Sequence, residues 1–280
     1  MSQIPNLFII GTQKGGSTSL YHHLSKHPDI GTFREKECNL FMEGVDIPKK
    51  LEALGPSTGG DRYLLDGSIN YCRYPRHKGV PERILEHVGR DTPRFIYTIR
   101  NPVDRLISQY YWNSERYGEH RDLLTAAAED ETYVATGQYD MQMARYLEHF
   151  SMDQFLFVQF ETFRAAPQAE VNRVLDWLGL SPVTINTDVQ LASTSTKTTR
   201  SLRLPGLHAL VSGTPALRRA VQGMLSDRTI RRLNKLLSRE VAREPVDKAT
   251  RHELLNRHFL ESINKTEEML GLDLSSWKQL

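Results

Sequence analysis

The stretch Leu7-Phe-Ile-Ile-Gly-Thr-Gln-Lys-Gly-Gly-Ser-Thr-Ser-Leu20 decides the fold. An apolar run feeds a glycine-rich turn and then a helix-forming segment, the order of elements that cradles a phosphate. The frame Gly11-x-x-x-x-Gly16 is that of a nucleotide-binding P-loop. Ser17, however, stands where the P-loop lysine belongs, and Lys14 comes three residues earlier, so the loop is not a Walker A motif. Gly11, Gly15 and Gly16 let the backbone approach an anion, and free N–H groups at the helix start point at it. Lys14 adds a full positive charge, while Ser17 and Thr18 add hydroxyl donors. The same letters also spell a plain strand-to-helix turn with Ser17 or Thr18 as its N-cap.

Outward from this loop, Arg94-Phe-Ile-Tyr-Thr-Ile-Arg100 reads as a second buried strand, followed by Asn101-Pro102-Val103-Asp104-Arg105. Asn101 is a good N-cap and Pro102 suits the first helical position, which sets Ser108 about two turns into the next helix. Arg100 at the strand end and Ser108 on that helix are placed to grip one further phosphate. Taken singly, an arginine there is a surface ion-pair residue and a serine a helix filler.

Strands near 6–10, 63–66, 94–99 and 155–160 alternate with helices near 17–27, 102–116, 138–150 and 168–178, the last closed by Gly179. This alternation predicts an α/β fold: a P-loop-like parallel sheet flanked by helices, in a single domain with C-terminal helices. The domain is expected over 1–280, with a core at about 5–205 and a helical extension at about 206–280. Such sheets bind ligands beyond the carboxyl ends of their strands, where Gly11 and Arg100 both fall. Residues 43–62 and 114–136 read as excursions that shape a substrate pocket. The Ser/Thr-rich stretch 193–199 flanks the break at Pro205-Gly206 and reads as a loop, and the Arg- and Leu-rich tail from Thr214 reads as helical, packing on the sheet or mediating a homodimer.

A net charge of +2 over 280 residues argues against nucleic acid as a partner. No apolar run approaches the roughly 20 residues of a membrane span. The first strand begins within the first ten residues, so no secretory leader is expected. Cys38 and Cys72 form no metal spacing and are expected to be reduced thiols. A cytoplasmic protein is the resulting expectation.

Together, Lys14-Gly15-Gly16-Ser17-Thr18 and Arg100 through Ser108 resemble, in order and spacing, the sulfotransferases that use 3′-phosphoadenosine 5′-phosphosulfate (PAPS). The likeness is closest to bacterial members and to the catalytic domains of heparan sulfate sulfotransferases. It implies that Lys14, Gly15, Gly16, Ser17 and Thr18 hold the 5′-phosphosulfate, that Arg100 and Ser108 hold the 3′-phosphate, and that no metal is required. Arg34-Glu-Lys-Glu-Cys-Asn-Leu-Phe41 looks like the family's Lys-Glu-x-x-x-Phe segment, which implies Glu37 as general base; without the resemblance Glu37 is a solvated acid in a charged run. Asn39 stands where many relatives carry histidine, and Gly67 stands where the heparan sulfate enzymes carry a lysine touching cofactor and sugar. Gly137 to Phe150 looks like the family helix lining the acceptor cleft, with Tyr139 near its mouth, and Glu161-Thr162-Phe163 resembles a family turn. Lys197 and Arg200 match a late basic loop over the nucleotide phosphates, or else lie in a linker.

The implied activity is in-line transfer of a sulfuryl group from PAPS to a hydroxyl or amine of a small-molecule or saccharide acceptor. The alternatives are a catalytically silent binder of PAPS or its product adenosine 3′,5′-bisphosphate (PAP), and a P-loop kinase. Tyr21, His22, Tyr71, Tyr111, Trp112 and Tyr139 are candidates for an aromatic acceptor wall. From Lys197 to Arg239 the sequence has ten Lys/Arg against one acid, Asp227, which either steers a polyanionic acceptor or offsets acids elsewhere.

Overall fold

Side-chain alternation in the two central strands sorts the core into two faces. In β1 (Leu7–Gly11), Leu7 and Ile9 join one apolar cluster while Phe8 and Ile10 join the other. Residues 94–99 divide in the same way, with Ile96 on the first face and Phe95, Tyr97 and Ile99 on the second. Strands buried on both faces need cover on both, which is the condition of a parallel sheet between helical layers.

The computed structural model describes residues 4–55, 62–119, 121–185, 198–202, 238–242 and 245–279. Its main sheet has five parallel strands in the order β2-β3-β1-β4-β5, with β2 at Ile30–Thr32, β3 at Tyr63–Asp66, β4 at Arg94–Ile99 and β5 at Phe155–Gln159. The helices are α1 (Ser17–Leu24), α2 (Ile47–Leu54), α3 (Val80–Val88), α4 (Pro102–Tyr117), α5 (Leu123–Glu129), α6 (Glu131–Ala135), α7 (Tyr139–Leu147), α8 (Phe160–Ala165), α9 (Pro167–Trp177), α10 (Lys248–Leu254) and α11 (Leu260–Leu270). Leu20 and Leu24 of α1 and Val171, Val174 and Leu175 of α9 cover the first face. Ile84 of α3, Met143 and Tyr146 of α7, and the C-terminal Phe259, Ile263 and Trp277 cover the second. The chain leaves β1 toward β2 and β3, but leaves β4 toward β5 on the opposite side. A crevice therefore opens between the carboxyl ends of β1 and β4.

The α/β sheet, its helical layers and the C-terminal helices agree with the expected fold class. Asn101 caps α4 as its letters predict, its side chain accepting from the backbone N–H groups of Val103 (3.0 Å) and Asp104 (3.2 Å). Gly179 closes α9 with φ +66°, and Leu180 N–H reaches back to the Leu175 carbonyl at 2.8 Å. Cys38 and Cys72 are buried free thiols.

The structure adds two features to the expected fold and corrects a third. The edge strand β2 has three residues, too short for a periodic signal. The excursions contain α2, α5 and α6. Within the supposed loop at 193–199, Thr198 and Thr199 open β6 (Thr198–Leu202), which pairs antiparallel with β7 (Ser238–Ala242) inside the supposedly helical tail. Pairing across some forty residues leaves no local trace, and β-branched threonines suit a strand once a partner is supplied. Lys197 and most of the basic 197–239 region lie outside the described residues.

Candidate active site

At the end of β1 the chain is fastened to β4. Thr12 N–H donates to the Thr98 carbonyl at 2.6 Å and lies 2.9 Å from its hydroxyl, while that hydroxyl donates to the Gly11 carbonyl. The loop then doubles back, with Gly15 N–H donating to the Thr12 carbonyl at 3.0 Å. A Cβ on Gly15 would fall 2.6 Å from the Thr12 methyl, and one on Gly16, whose φ is +88°, would fall 2.9 Å from the Phe160 ring. Neither position tolerates a side chain, so backbone alone lines the turn that leads into α1. Lys14 takes a left-handed φ of 71°, a strained conformation for a residue with a side chain.

That strain is held from the neighbouring strand. Arg100 Nη1 donates to the Lys14 carbonyl at 3.0 Å, and its guanidinium stacks 4.6 Å from the centre of the Phe160 ring. Phe160 thus packs beneath both the loop glycine and the arginine. Arg100 Nε is buried without a hydrogen-bond partner among the described residues, and burial lowers the pKa of the guanidinium. Tyr139 fixes the Arg100 backbone, its hydroxyl donating to the Arg100 carbonyl at 2.6 Å and accepting from Arg100 N–H at 3.2 Å. Glu161 accepts from Asn101 N–H at 3.0 Å. Ser108 is half-buried on α4, one turn before Trp112, whose ring centre lies 5.8 Å from Lys14 Nζ. Residues four apart share a helix face, so Ser108 and the Lys14 neighbour Trp112 lie on one side of α4. Arg200 falls in β6, which runs beside α4, its backbone paired with that of Glu240.

The segment carrying Glu37 is fastened differently, by side chains. Asp66 at the end of β3 is fully buried. One of its oxygens accepts from Cys38 N–H (3.2 Å) and from the Ser68 hydroxyl, the other from the Tyr71 hydroxyl (2.7 Å). The Ser68 hydroxyl in turn accepts from Asn39 N–H at 2.8 Å, and the Tyr71 hydroxyl from Phe41 N–H at 3.3 Å. Burial raises the Asp66 pKa from 3.8 to about 6, against the opposing pull of these donors. Asn39 has a φ of 51° and donates to the Glu37 carbonyl at 3.1 Å. Asn70 donates to the Asn39 amide oxygen, and Arg73 to the Asn70 amide oxygen, each at 3.0 Å. Asn39 is thus a hydrogen-bonding brace behind Glu37.

Glu37 is half-buried, and its Oε1 lies 3.2 Å from Lys36 Nζ. That ammonium also reaches Thr18 Oγ1 at 3.3 Å and Ser17 Oγ at 3.5 Å. The structure thereby brings Lys14, Gly15, Gly16, Ser17, Thr18 and Arg100 together at the crevice, and Lys36 links them to Glu37. Of the proposed aromatic wall, Tyr71 and Tyr139 belong to the core with 3% and 1% exposure, because their hydroxyls brace Asp66 and Arg100. Lys36, which is the lysine of the Lys-Glu-x-x-x-Phe segment, and Asp66 and Phe160 are participants to which motif reading gives no role. The sequence signals for them are the lysine beside Glu37 and the positions of Asp66 and Phe160 at strand ends. Among the described residues no cluster of three or more His, Cys, Asp or Glu could hold a metal ion, and no helix is long and apolar enough to cross a membrane.

The chain that carries this parallel sheet, glycine cradle and strand-end arginine belongs to the sulfotransferase domain family, which matches residues 5–224. Among its relatives, human heparan sulfate glucosamine 3-O-sulfotransferase 3B1 is 31% identical over 199 residues, 65% of this chain and 47% of that enzyme. Bifunctional heparan sulfate N-deacetylase/N-sulfotransferase 1 of Caenorhabditis briggsae is 22% identical over 215 residues, 68% of this chain and 24% of that enzyme. The chain thus spans about half, or less, of the length of these curated relatives. A sulfotransferase from Alicyclobacillus acidocaldarius has the same fold, with a TM-score of 0.68 at 23% identity over 99% of this chain and 100% of that one.

Proposed function

We propose that the protein is a sulfotransferase that takes its sulfuryl group from PAPS, gives it to an acceptor hydroxyl or amine, and releases PAP. The observation that carries this reading is the hydrogen bond from Arg100 to the Lys14 carbonyl, which makes one cleft of two anion-binding segments 86 residues apart. The residues present fit a nucleotide with phosphates at both ends. Backbone lines the turn where no Cβ fits, Ser17 and Thr18 offer hydroxyls at the helix start, and the buried Arg100 Nε has a donor to spare among the described contacts. The bound donor supplies a sulfuryl group on a phosphate leaving group.

The chain's part is to hold and to move a proton. Lys14, the loop N–H groups and the Ser17 and Thr18 hydroxyls bind the 5′-phosphate and meet the negative charge that develops on the departing oxygen. Arg100 and Ser108 bind the 3′-phosphate, with Lys197 and Arg200 as further basic residues for the nucleotide phosphates. Glu37 takes the acceptor proton as general base. No residue in this scheme asks for a metal ion. Saccharides are the acceptors favoured by the relatives' names, and a hydroxyl on another small molecule meets the same base.

Calorimetric titration with PAP, 5′-AMP and ATP, without added magnesium, tests the reading. PAP binding that depends on the 3′-phosphate and falls at least tenfold in Arg100→Ala is expected, about the loss of one charge-assisted contact. Absence of PAP binding, or a preference for ATP that requires magnesium, overturns it in favour of phosphoryl transfer.

A further inference from the structure

Lys36 is the lysine of the Lys-Glu-x-x-x-Phe segment and has no role so far, yet its ammonium occupies the junction between the phosphate cradle and Glu37. It stands 3.2 Å from Glu37 Oε1, 3.3 Å from Thr18 Oγ1 and 3.5 Å from Ser17 Oγ. Its side chain is 19% exposed, well below the habit of lysines, which keep their heads in water. Desolvation lowers the pKa of this ammonium from its ordinary 10.5, with Glu37 pulling the other way. An anion arriving at the cradle would make up for the hydration that burial has removed, beside the partial compensation that Glu37 already gives.

The surroundings keep that place for Lys36. Gly67 N–H donates to the Lys36 carbonyl at 2.9 Å, and a Cβ on Gly67 would fall 3.2 Å from both Cγ and Cε of Lys36 and 2.8 Å from the Tyr21 ring. Absence of a side chain at 67 gives the lysine stem its channel along the end of β3. Lys14 lies on the other flank of the cradle, toward Trp112 on α4. The Lys36 ammonium therefore reaches the start of α1 directly, while that of Lys14 lies over Trp112.

We infer that Lys36 is a second catalytic cation, contacting the sulfuryl end of the donor from the β3 side while Glu37 holds it in register. The inference rests on the sulfotransferase reading above. In the transfer, the acceptor oxygen forms its bond to sulfur as the bond from sulfur to the bridging phosphate oxygen breaks. The electron pair of the broken bond leaves on that bridging oxygen with PAP, and the acceptor proton passes to Glu37. Lys36 keeps all its protons. It donates hydrogen bonds to the sulfuryl oxygens, whose charge it balances, and stays within reach of the carboxylate that receives the proton.

The chemistry separates Lys36 from a mere support of the loop, because PAP lacks the sulfuryl group and PAPS carries it. Titration of wild type, Lys36→Gln, Lys36→Met and Lys36→Arg with PAP and with PAPS, without acceptor, measures the difference. Loss of the charge is expected to weaken PAPS binding by about tenfold or more, in line with a charge-assisted contact, while PAP binding changes by no more than about threefold. Lys36→Arg should recover part of the PAPS affinity. Equal losses for both ligands, or none for either, overturn the inference. Lys36→Gln keeps size and hydrogen bonding, so it decides the matter should Lys36→Met fail to fold. A wild-type protein that binds neither ligand sinks the sulfotransferase reading itself, a result distinct from failure of the Lys36 contrast alone.

Discussion

The two walls of the cleft are built on different principles. The proposed donor wall, Thr12 to Ser17 with Arg100, takes its shape mainly from backbone: strand ends, positive φ at Lys14 and Gly16, and glycines where a Cβ would collide, with Thr98 and Arg100 bonded to its carbonyls. The proposed acceptor wall, residues 36–41, takes its shape from side chains that converge on one buried carboxylate, Asp66. A backbone-built wall is fixed by the sheet and tolerates loss of a functional side chain without loss of the fold. A wall hung on a buried carboxylate loses its order when that group is removed.

Lys14→Ala breaks the comparison most sharply if it is wrong. The substitution removes an ammonium and leaves the loop's backbone bonds in place, so transfer should lose about 2.7–4 kcal/mol of transition-state stabilisation while the melting temperature stays near wild type. The rate of PAP release from PAPS, measured beside a thermal melt, checks both halves. Unchanged turnover removes Lys14 from the centre of the site, and a collapsed melt shows that the donor wall depends on side chains after all.

On the acceptor wall the order of effects should reverse. Asp66→Ala strands the Cys38 N–H and the Ser68 and Tyr71 hydroxyls, and is expected to cost about 3 kcal/mol of folding stability, a sum of unmade buried hydrogen bonds. The carboxyl also carries a pH signature. Its folded pKa of about 6 lies above its ordinary 3.8, so the folded state holds the proton more tightly than the unfolded chain. The stability that Asp66 contributes by this route is fully present below 3.8 and is lost as pH rises through about 6. Asp66→Asn, which has no proton to lose, should therefore show a flatter stability profile than wild type across that window. Denaturant melts at several pH values measure it, and parallel profiles would show that Asp66 titrates alike in both states.

The difference between the walls also explains what was legible beforehand. The strand, loop and helix at 7–24 and the Asn101-Pro102 start of α4 are local features, because propensity, capping and glycine placement act within a few residues. Their joining through Arg100 was readable only as order and spacing, with the contact itself supplied by the sheet. The brace behind Glu37 was not readable. Asp66 reaches Cys38 across 28 residues, and Lys36 reaches Thr18 across 18, by side-chain contacts that leave no periodicity. Tyr139 shows the converse: its place in a motif suggested a cleft wall, whereas its hydroxyl is spent on the Arg100 backbone. The pairing of β6 with β7 escaped for the same reason as the Asp66 brace, since its partner strand lies far along the chain.

Asn101 offers the finest division between the two kinds of construction, because its side chain serves both. Its oxygen caps α4, a local backbone task, while its amide nitrogen donates to the Trp277 carbonyl at 3.3 Å and ties the C-terminal end to the donor wall. Asn101→Ser keeps a capping oxygen and drops the tie, whereas Asn101→Ala drops both. The stability gap between these variants isolates the cap and is expected at about 1 kcal/mol, with serine the more stable. PAP affinity should stay within about twofold across the pair, since Arg100 is still held by Lys14 and Tyr139 and a twofold change is well under the 1.4 kcal/mol of a tenfold one. A PAP affinity that follows the cap instead would mean that the start of α4, and not the sheet, sets the position of Arg100.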